Sequence, residues 1–254
     1  MRRFIFTLCP AMLSAILSAA LPVAGFASGA RVELDHVKVD LSDRDSLQRG
    51  ARIFVNYCLS CHSASYMRYS TMGHDLGISD ELVKENLLFA ADKVGDLMKA
   101  VMPPADAKDW FGAAPPDLSV TARSRGPDWI YTYMRSFYRD PKSPTGWNNR
   151  VLTNVSMPNV LYEWQGEQRA VFETVKDAHG ADHQVLKGFE IESPGTMTRE
   201  DFDRAIRDLT NFMVYLGEPA KLVRNGIGVW TILFLLGFTF VAWLMKKEYW
   251  KDVH

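Results

Sequence analysis

Cys58-Leu59-Ser60-Cys61-His62 is the most informative stretch of this sequence. Two cysteines three positions apart, followed at once by histidine, form the attachment pattern of c-type haem. On one helical turn both thiols can reach the two vinyl groups of a porphyrin, while the adjacent imidazole can bind the iron as its proximal ligand. The run therefore predicts one covalent haem c, with Cys58 and Cys61 as thioethers and His62 as an axial ligand.

The first 27 residues have the layout of a secretory signal. Two arginines near the start precede an apolar stretch, which ends in small residues. Pro10 and Pro22 interrupt that stretch, which is short for a membrane span of about 20 residues, so a signal is favoured over a first anchor. We expect residues 1–27 to be removed on export. Cys9 would leave with them, and no cysteine pair would remain for a disulfide.

A second apolar segment, residues 225–245, contains no charged residue. As a helix it would rise about 31 Å, which matches the hydrocarbon core of a bilayer. Lys246, Lys247 and Lys251 follow it, a bias that favours a cytoplasmic C-terminus in a single-pass protein of the inner membrane. The expected division is residues 1–27 as signal peptide, 28–222 as periplasmic haem domain, 223–245 as transmembrane anchor and 246–254 as cytoplasmic tail.

The charge balance is mildly acidic. The whole chain has a net charge of −1, and residues 28–222 contain 23 basic and 28 acidic side chains, a net of −5. An acidic face could steer a basic soluble partner, although ordinary solubility would account for the same balance. No nucleic acid partner is expected.

Hydrophobic periodicity predicts two principal helices in the exported part. One covers Ser46–Asn56 and leads into the cysteines, and the other covers Thr198–Leu216 with Thr198 as N-cap. We expect them to cross, with Gly50 permitting close approach and Phe54 packing against aromatic side chains of the second helix; the alternative is two unrelated core helices. The fold class that follows is mainly α, a c-type cytochrome fold with long irregular insertions and one C-terminal transmembrane helix.

Between these helices lies a long stretch rich in proline, glycine and aromatic residues, which could form the wall of a haem crevice. Within it, the spacing of residues 128–138 predicts a further helix. Residues 169–191 resemble two extended segments around residues 177–182, which predicts a surface hairpin.

A haem that only passes electrons needs a second axial ligand, and a methionine thioether is the usual one. Two Met-Pro pairs compete, Met102-Pro103 and Met157-Pro158, and spacing alone does not choose between them. Met157 is favoured because ligand loops of such cytochromes usually lie between the middle helices and the C-terminal one. The histidines outside the attachment run are interpreted as surface residues: His36, His74, His179, His183 and His254.

The chain resembles the cytochrome c1 family, the membrane-anchored haem subunits of ubiquinol:cytochrome c oxidoreductase, over nearly its whole mature length. The order and spacing of the motifs agree as well as their identity. Besides the single C-terminal anchor, the matching stretches are residues 58–69, Pro115-Pro116-Asp117-Leu118-Ser119, Arg123-Ser124-Arg125 and residues 157–162.

The resemblance implies a role for seven residues. They are His62 and Met157 as axial ligands, Cys58 and Cys61 as thioethers, Arg125 as the partner of a haem propionate, and Pro116 and Trp129 as parts of the pocket wall. An arginine in that place is physically reasonable because a buried carboxylate is costly unless it is paired. Residues 162–195 depart from the family pattern, being longer than in mitochondrial relatives, and form a candidate lineage-specific contact surface.

The resemblance also implies one-electron transfer from a Rieske iron–sulfur protein to a soluble or membrane-bound c-type cytochrome, in a dimeric complex with cytochrome b. The chain itself would do no bond chemistry. One alternative is a membrane-tethered c-type cytochrome that feeds a terminal oxidase or reductase, against which the 95 positions between His62 and Met157 count. Another is a haem sensor or peroxidase with an open sixth position.

Overall fold

The computed structural model describes residues 32–176 and 182–252. The predicted signal peptide therefore lies outside the described residues. The mainly α fold class is confirmed. The helices are α1 (Arg44–Ile53), α2 (Tyr69–Leu76), α3 (Asp80–Asn86), α4 (Pro104–Phe111), α5 (Thr121–Arg125), α6 (Pro127–Arg135), α7 (Tyr162–Gln165), α8 (Arg199–Gly217) and α9 (Lys221–Tyr249). The strands are β1 (Ala64–Arg68), β2 (Leu97–Met98), β3 (Phe137–Arg139), β4 (Trp147–Asn149), β5 (Gly166–Lys176) and β6 (Asp182–Pro194).

Helix α1 ends in a turn of a different kind from the one its periodicity predicts. It begins at Arg44, after the N-cap Asp43, whose side chain accepts a hydrogen bond from the Ser46 amide. From Phe54 to Cys58 the backbone is π-helical rather than α-helical. This wider turn is a common device at functional sites, and here it carries the chain directly into the attachment run.

The crossing of α1 and α8 is confirmed, and Gly50 makes it possible. A Cβ atom at Gly50 would lie 2.1 Å from the carbonyl oxygen of Asp208 and 2.6 Å from Cβ of Phe212. The rings of Phe54 and Phe212 pack with centroids 5.5 Å apart. Helix α8 begins as predicted, because the Thr198 hydroxyl accepts a hydrogen bond from the Asp201 amide.

A buried carboxylate joins the same two helices. Asp208 is 2% exposed, and its oxygens accept hydrogen bonds from the Ser46 hydroxyl at 2.7 Å and from Nε of Arg49 at 2.6 Å. Asn211, one turn further along α8, donates to the Ser46 hydroxyl oxygen and to the carbonyl of Asp40. The crossing is therefore fixed by polar contacts as well as by apolar packing.

The prediction of a helix over residues 128–138 is wrong at its C-terminal end. Helix α6 ends at Arg135, and the next residues form β3, which pairs antiparallel with β4 and parallel with β5. The predicted hairpin is confirmed as the antiparallel pair β5–β6, and its turn lies outside the described residues. The resulting sheet has the order β4-β3-β5-β6, and residues 162–195 are mainly α7 and this hairpin.

Helix α9 is long and apolar enough to cross a membrane. Within Gly226–Tyr249, a window of 18 residues has a mean hydropathy of 2.2, and none of that window is buried against the protein. The helix includes the predicted anchor and continues beyond it through the first lysines of the predicted tail.

Candidate haem site

A cleft of about 620 Å³ opens beside the attachment run. Its size is within the range of cofactor pockets, and its wall is mainly apolar. Seven residues singled out in the sequence line this one cleft: Cys58, Cys61, His62, Pro116, Arg125, Trp129 and Met157. Met102, the competing methionine, is not among the residues that line it.

The two cysteines are presented to the cleft by consecutive turns. The amides of Cys61 and His62 both donate to the carbonyl of Cys58, at 3.1 and 2.8 Å. These two hydrogen bonds form a tight turn. Cys58 is buried and Cys61 half-buried, and neither is part of a disulfide. Burial raises the pKa of the Cys58 thiol to about 12, so this sulfur is a neutral thiol at physiological pH.

The imidazole of His62 is oriented by the loop opposite. Its Nδ1 lies 2.8 Å from the carbonyl oxygen of Pro116. A carbonyl can only accept, so Nδ1 carries the proton and Nε2 keeps its lone pair, the form in which histidine binds a metal. Burial lowers the pKa of His62 below its usual value, which also favours the neutral ring.

Met157 lies in a loop that buried asparagines hold at both ends. Asn149, fully buried, accepts from the amide of Val151 and donates to the carbonyl of Tyr133. Asn159, 2% exposed, accepts from the amide of Leu161 and donates to a side-chain oxygen of α7. These hydrogen bonds anchor the loop before and after Met157.

On one wall of the cleft, the stacked rings of Trp129 and Tyr133 connect Arg125 to Met157. The Arg125 guanidinium lies 5.4 Å from the centre of the Trp129 ring, which stacks on Tyr133 at 4.8 Å and 10°. The Tyr133 hydroxyl donates to Sδ of Met157 at 3.5 Å. Burial raises the pKa of Tyr133 far above its usual range, so the hydroxyl remains a donor.

Sequence reasoning missed Tyr133 as a site residue. The signal was present, since Tyr133 lies four positions after Trp129 and therefore on the same face of α6. The periodicity of this segment predicts a helix and assigns no role to Tyr133.

The described histidines outside the attachment run do not line the cleft. The side chains of His36 and His74 are 84% and 91% exposed, and His36 contacts Asp128 at 3.1 Å. His179 and His254 lie outside the described residues, as does the side chain of His183.

The chemistry of this donor set fits haem c. The cleft offers two free thiols, an imidazole with an available Nε2 and a thioether, within a mainly apolar wall. Such a site in a mainly α domain defines the class of c-type cytochromes.

The sequence comparisons narrow this class. Residues 37–253 match the cytochrome C1 family, and the chain belongs to that family. It is 47% identical to the cytochrome c1 of Allochromatium vinosum, with 92% of this chain and 95% of the relative aligned. It is 46% identical to a protein of Nitrosomonas europaea named ammonia monooxygenase gamma subunit, over 96% of this chain and 97% of the relative. The cytochrome c1 of Rhodospirillum rubrum is 27% identical over 83% of each chain. The protein is thus a subunit of a bc1-type complex that carries haem c and transfers electrons.

Proposed function

We propose that this subunit takes single electrons from a Rieske iron–sulfur protein and passes them to a soluble or membrane-bound c-type cytochrome, in a complex with cytochrome b. The observation that carries the proposal is the convergence of Cys58, Cys61, His62 and Met157 on one cleft. Haem c supplies a one-electron iron couple when it is bound there.

Each residue of this group has a distinct task in the proposal. Cys58 and Cys61 hold the group covalently, which fixes its orientation. Nε2 of His62 and Sδ of Met157 would be the two protein ligands of the haem iron. Two protein ligands leave no open coordination position for a substrate, which disfavours the sensor and peroxidase alternatives. The thioether is a soft, neutral ligand, and it favours the reduced state.

Three further residues shape the wall. Arg125 is exposed at the mouth of the cleft, where its guanidinium would pair with a propionate while it packs over Trp129. Trp129 covers the side of the cleft between Arg125 and Tyr133. Pro116 lines the cleft, and its carbonyl accepts a hydrogen bond from Nδ1 of His62.

The proposed topology follows from the two ends of the chain. Residues 1–27 direct export, residues 28–222 lie in the periplasm, residues 223–245 anchor the protein in the inner membrane and residues 246–254 are cytoplasmic. The apolar helix α9 and its C-terminal lysines support this orientation. The complex is proposed to be dimeric.

Purification of the tagged full-length protein from membranes tests the function. We expect one haem c per chain by pyridine haemochrome analysis, retained through acid–acetone extraction, and co-isolation with b-type haem and a Rieske cluster. Reduction by quinol should require those partners. Isolation with a haem–copper oxidase would support the tethered-cytochrome alternative, and isolation with monooxygenase subunits would connect the chain to the role named for its Nitrosomonas relative.

The covalent attachment has a matched control within the chain. Replacing Cys58 or Cys61 by alanine should allow acid–acetone to extract the pigment or should prevent its incorporation. The Cys9→Ala variant should retain a full complement of haem c. Extractable pigment in the unaltered protein would contradict the proposal.

A further inference from the structure

We propose that Tyr133 is a positioning residue for electron transfer, because the hydrogen bond from its hydroxyl to the Met157 sulfur raises the reduction potential of this site. The inference rests on the proposed function, in which Met157 is an axial ligand. It adds a residue that neither the motif pattern nor the resemblance to the family identified.

The hydroxyl is held in place by contacts of its ring. Tyr133 is 8% exposed and lies on α6, where Trp129 stacks on its ring at 4.8 Å and Phe137 meets it edge-on at 5.0 Å and 73°. The carbonyl of Tyr133 accepts a hydrogen bond from the buried Asn149 at 2.8 Å. The side chain and the backbone of Tyr133 are therefore both held by contacts other than the one to the Met157 sulfur.

The sulfur that the hydroxyl reaches belongs to a loop with its own anchors. Sδ of Met157 accepts from the Tyr133 hydroxyl at 3.5 Å, within the usual distance for a hydrogen bond to sulfur. Asn149, which donates to the Tyr133 carbonyl, also accepts from the Val151 amide at the start of the Met157 loop. The buried side chain of Asn149 therefore helps to position both the helix that carries Tyr133 and the loop that carries Met157.

The direction of the effect follows from the electron demand on the sulfur. A thioether is a weak acceptor, and a donor on one lone pair withdraws electron density from the other. The sulfur then stabilises the electron-poor oxidised state less well, while the more electron-rich reduced state strengthens the hydrogen bond. Both effects favour reduction. The same withdrawal weakens the hold of Met157 in the oxidised state.

The test compares Tyr133→Phe with Tyr131→Phe in the full complex. Tyr131 is on the same helix, but its ring packs on the guanidinium of Arg135 at 4.4 Å and does not line the cleft. In Tyr133→Phe we expect the equilibrium between reduced and oxidised forms to move about threefold toward oxidation, or about 28 mV at 59 mV per factor of ten. Tyr131→Phe should leave the potential unchanged.

A ligand-displacement measurement separates this role from simple packing. With its hydrogen bond removed, Met157 should resist imidazole more strongly in the oxidised protein, so imidazole affinity should fall about threefold while the red absorption band of methionine-ligated ferric haem persists. A loosened loop would have the opposite effect on affinity and would weaken the band. Any one of three results in Tyr133→Phe overturns the proposal: a rise in imidazole affinity, loss of the red absorption band, or an unchanged reduction potential.

Two outcomes distinguish this inference from the function on which it rests. If the unaltered protein lacks the methionine band, the proposed ligation by Met157 fails and the inference fails with it. If the band is present and Tyr133→Phe behaves like Tyr131→Phe, the inference alone fails. Should Tyr133→Phe not assemble, uniform replacement of tyrosine by 3-fluorotyrosine, a stronger donor, should raise the potential, and an unchanged potential would overturn the proposal.

Discussion

Nδ1 of His62 and the carbonyl oxygen of Pro116 are 2.8 Å apart, and this hydrogen bond sets which ring nitrogen is available to a metal. The carbonyl is on a loop that is itself fastened to the segment after the attachment run. Asp117 accepts from the amides of Ser65 and Ser119, at 3.0 and 2.8 Å. The Asp117 carboxylate thus positions the loop so that the Pro116 carbonyl can accept the hydrogen bond from His62.

Replacing Asp117 by asparagine should destabilise the protein in a pH-dependent manner. Desolvation tends to raise the pKa of Asp117, but its hydrogen bonds with Ser119 and Ser65 outweigh that effect and lower it. Its stabilising contribution is therefore complete above the ordinary pKa of an aspartate and is lost as the pH falls through the lower folded-state value. We expect Asp117→Asn to cost about 0.5–1.5 kcal/mol at neutral pH, and less in acid.

Chemical unfolding monitored by haem absorption, repeated from neutral to acid pH, measures this difference. The exposed Asp109 on α4 provides the control, since Asp109→Asn should change the unfolding free energy little at any pH. Equal effects of the two substitutions would show that the carboxylate of Asp117 has no special role.

Substitution of the two competing methionines should give opposite spectra. Met157 lines the cleft, so Met157→Ala should remove the red band of the oxidised protein and lower the reduction potential. Met102 contributes its amide, which donates to the Ser60 carbonyl at 3.1 Å, and alanine retains that amide. Met102→Ala should therefore keep the band. Loss of the band in Met102→Ala alone would reverse the assignment.

Local patterns in the sequence were sufficient for the parts of the site that are local. The attachment run, the N-cap at Thr198 and the close approach at Gly50 each depend on residue types at short spacings, and each is found where expected. The end of α6 was mispredicted because the apolar period continues through Phe137, whereas pairing with β4 and β5 imposes strand geometry there. A strand of three residues is too short to show the alternating apolar and polar pattern that would predict it from the sequence.

Contacts between distant segments could not be predicted in the same way. The hydroxyl of Tyr133 and the sulfur of Met157 are 24 positions apart, and the intervening chain includes two strands and an asparagine-anchored loop. Nothing in the local sequence indicates that His62 would meet the Pro116 carbonyl, 54 positions away. Every residue type has a backbone carbonyl, so the sequence does not show which carbonyl His62 contacts. That contact can be identified only once the fold is known.

Arg125 and Arg123 should differ in their effect on the reduction potential. Arg125 lines the cleft, whereas Arg123, on the same short helix, does not. Removal of a positive charge near the site stabilises the oxidised form, so Arg125→Gln should lower the potential by a few-fold change in the equilibrium, at about 59 mV per factor of ten. Redox titration of both variants at low ionic strength checks this. Equal shifts in Arg125→Gln and Arg123→Gln would exclude a specific partner for Arg125.

Adding a single methyl group at Gly50 should disrupt the helix crossing that supports the attachment run. The new Cβ would lie 2.1 Å from the main-chain carbonyl oxygen of Asp208, and a backbone atom in a buried helix cannot move aside as a side-chain tip can. Overpacking of this kind costs about 1–3 kcal/mol, and more where the backbone must shift. Because α1 continues directly into the turn that presents Cys58, haem incorporation should fall as well.

Gly188 in the β5–β6 hairpin is the matched control. A Cβ atom there would meet nothing within 4 Å, so Gly188→Ala should retain the thermal unfolding midpoint and the haem content of the unaltered protein. Gly50→Ala should lower both, as measured by thermal unfolding and by pyridine haemochrome analysis per chain. If Gly50→Ala matched Gly188→Ala in both measurements, α1 and α8 would have room to separate, and the close crossing would not be what holds Cys58 at the cleft.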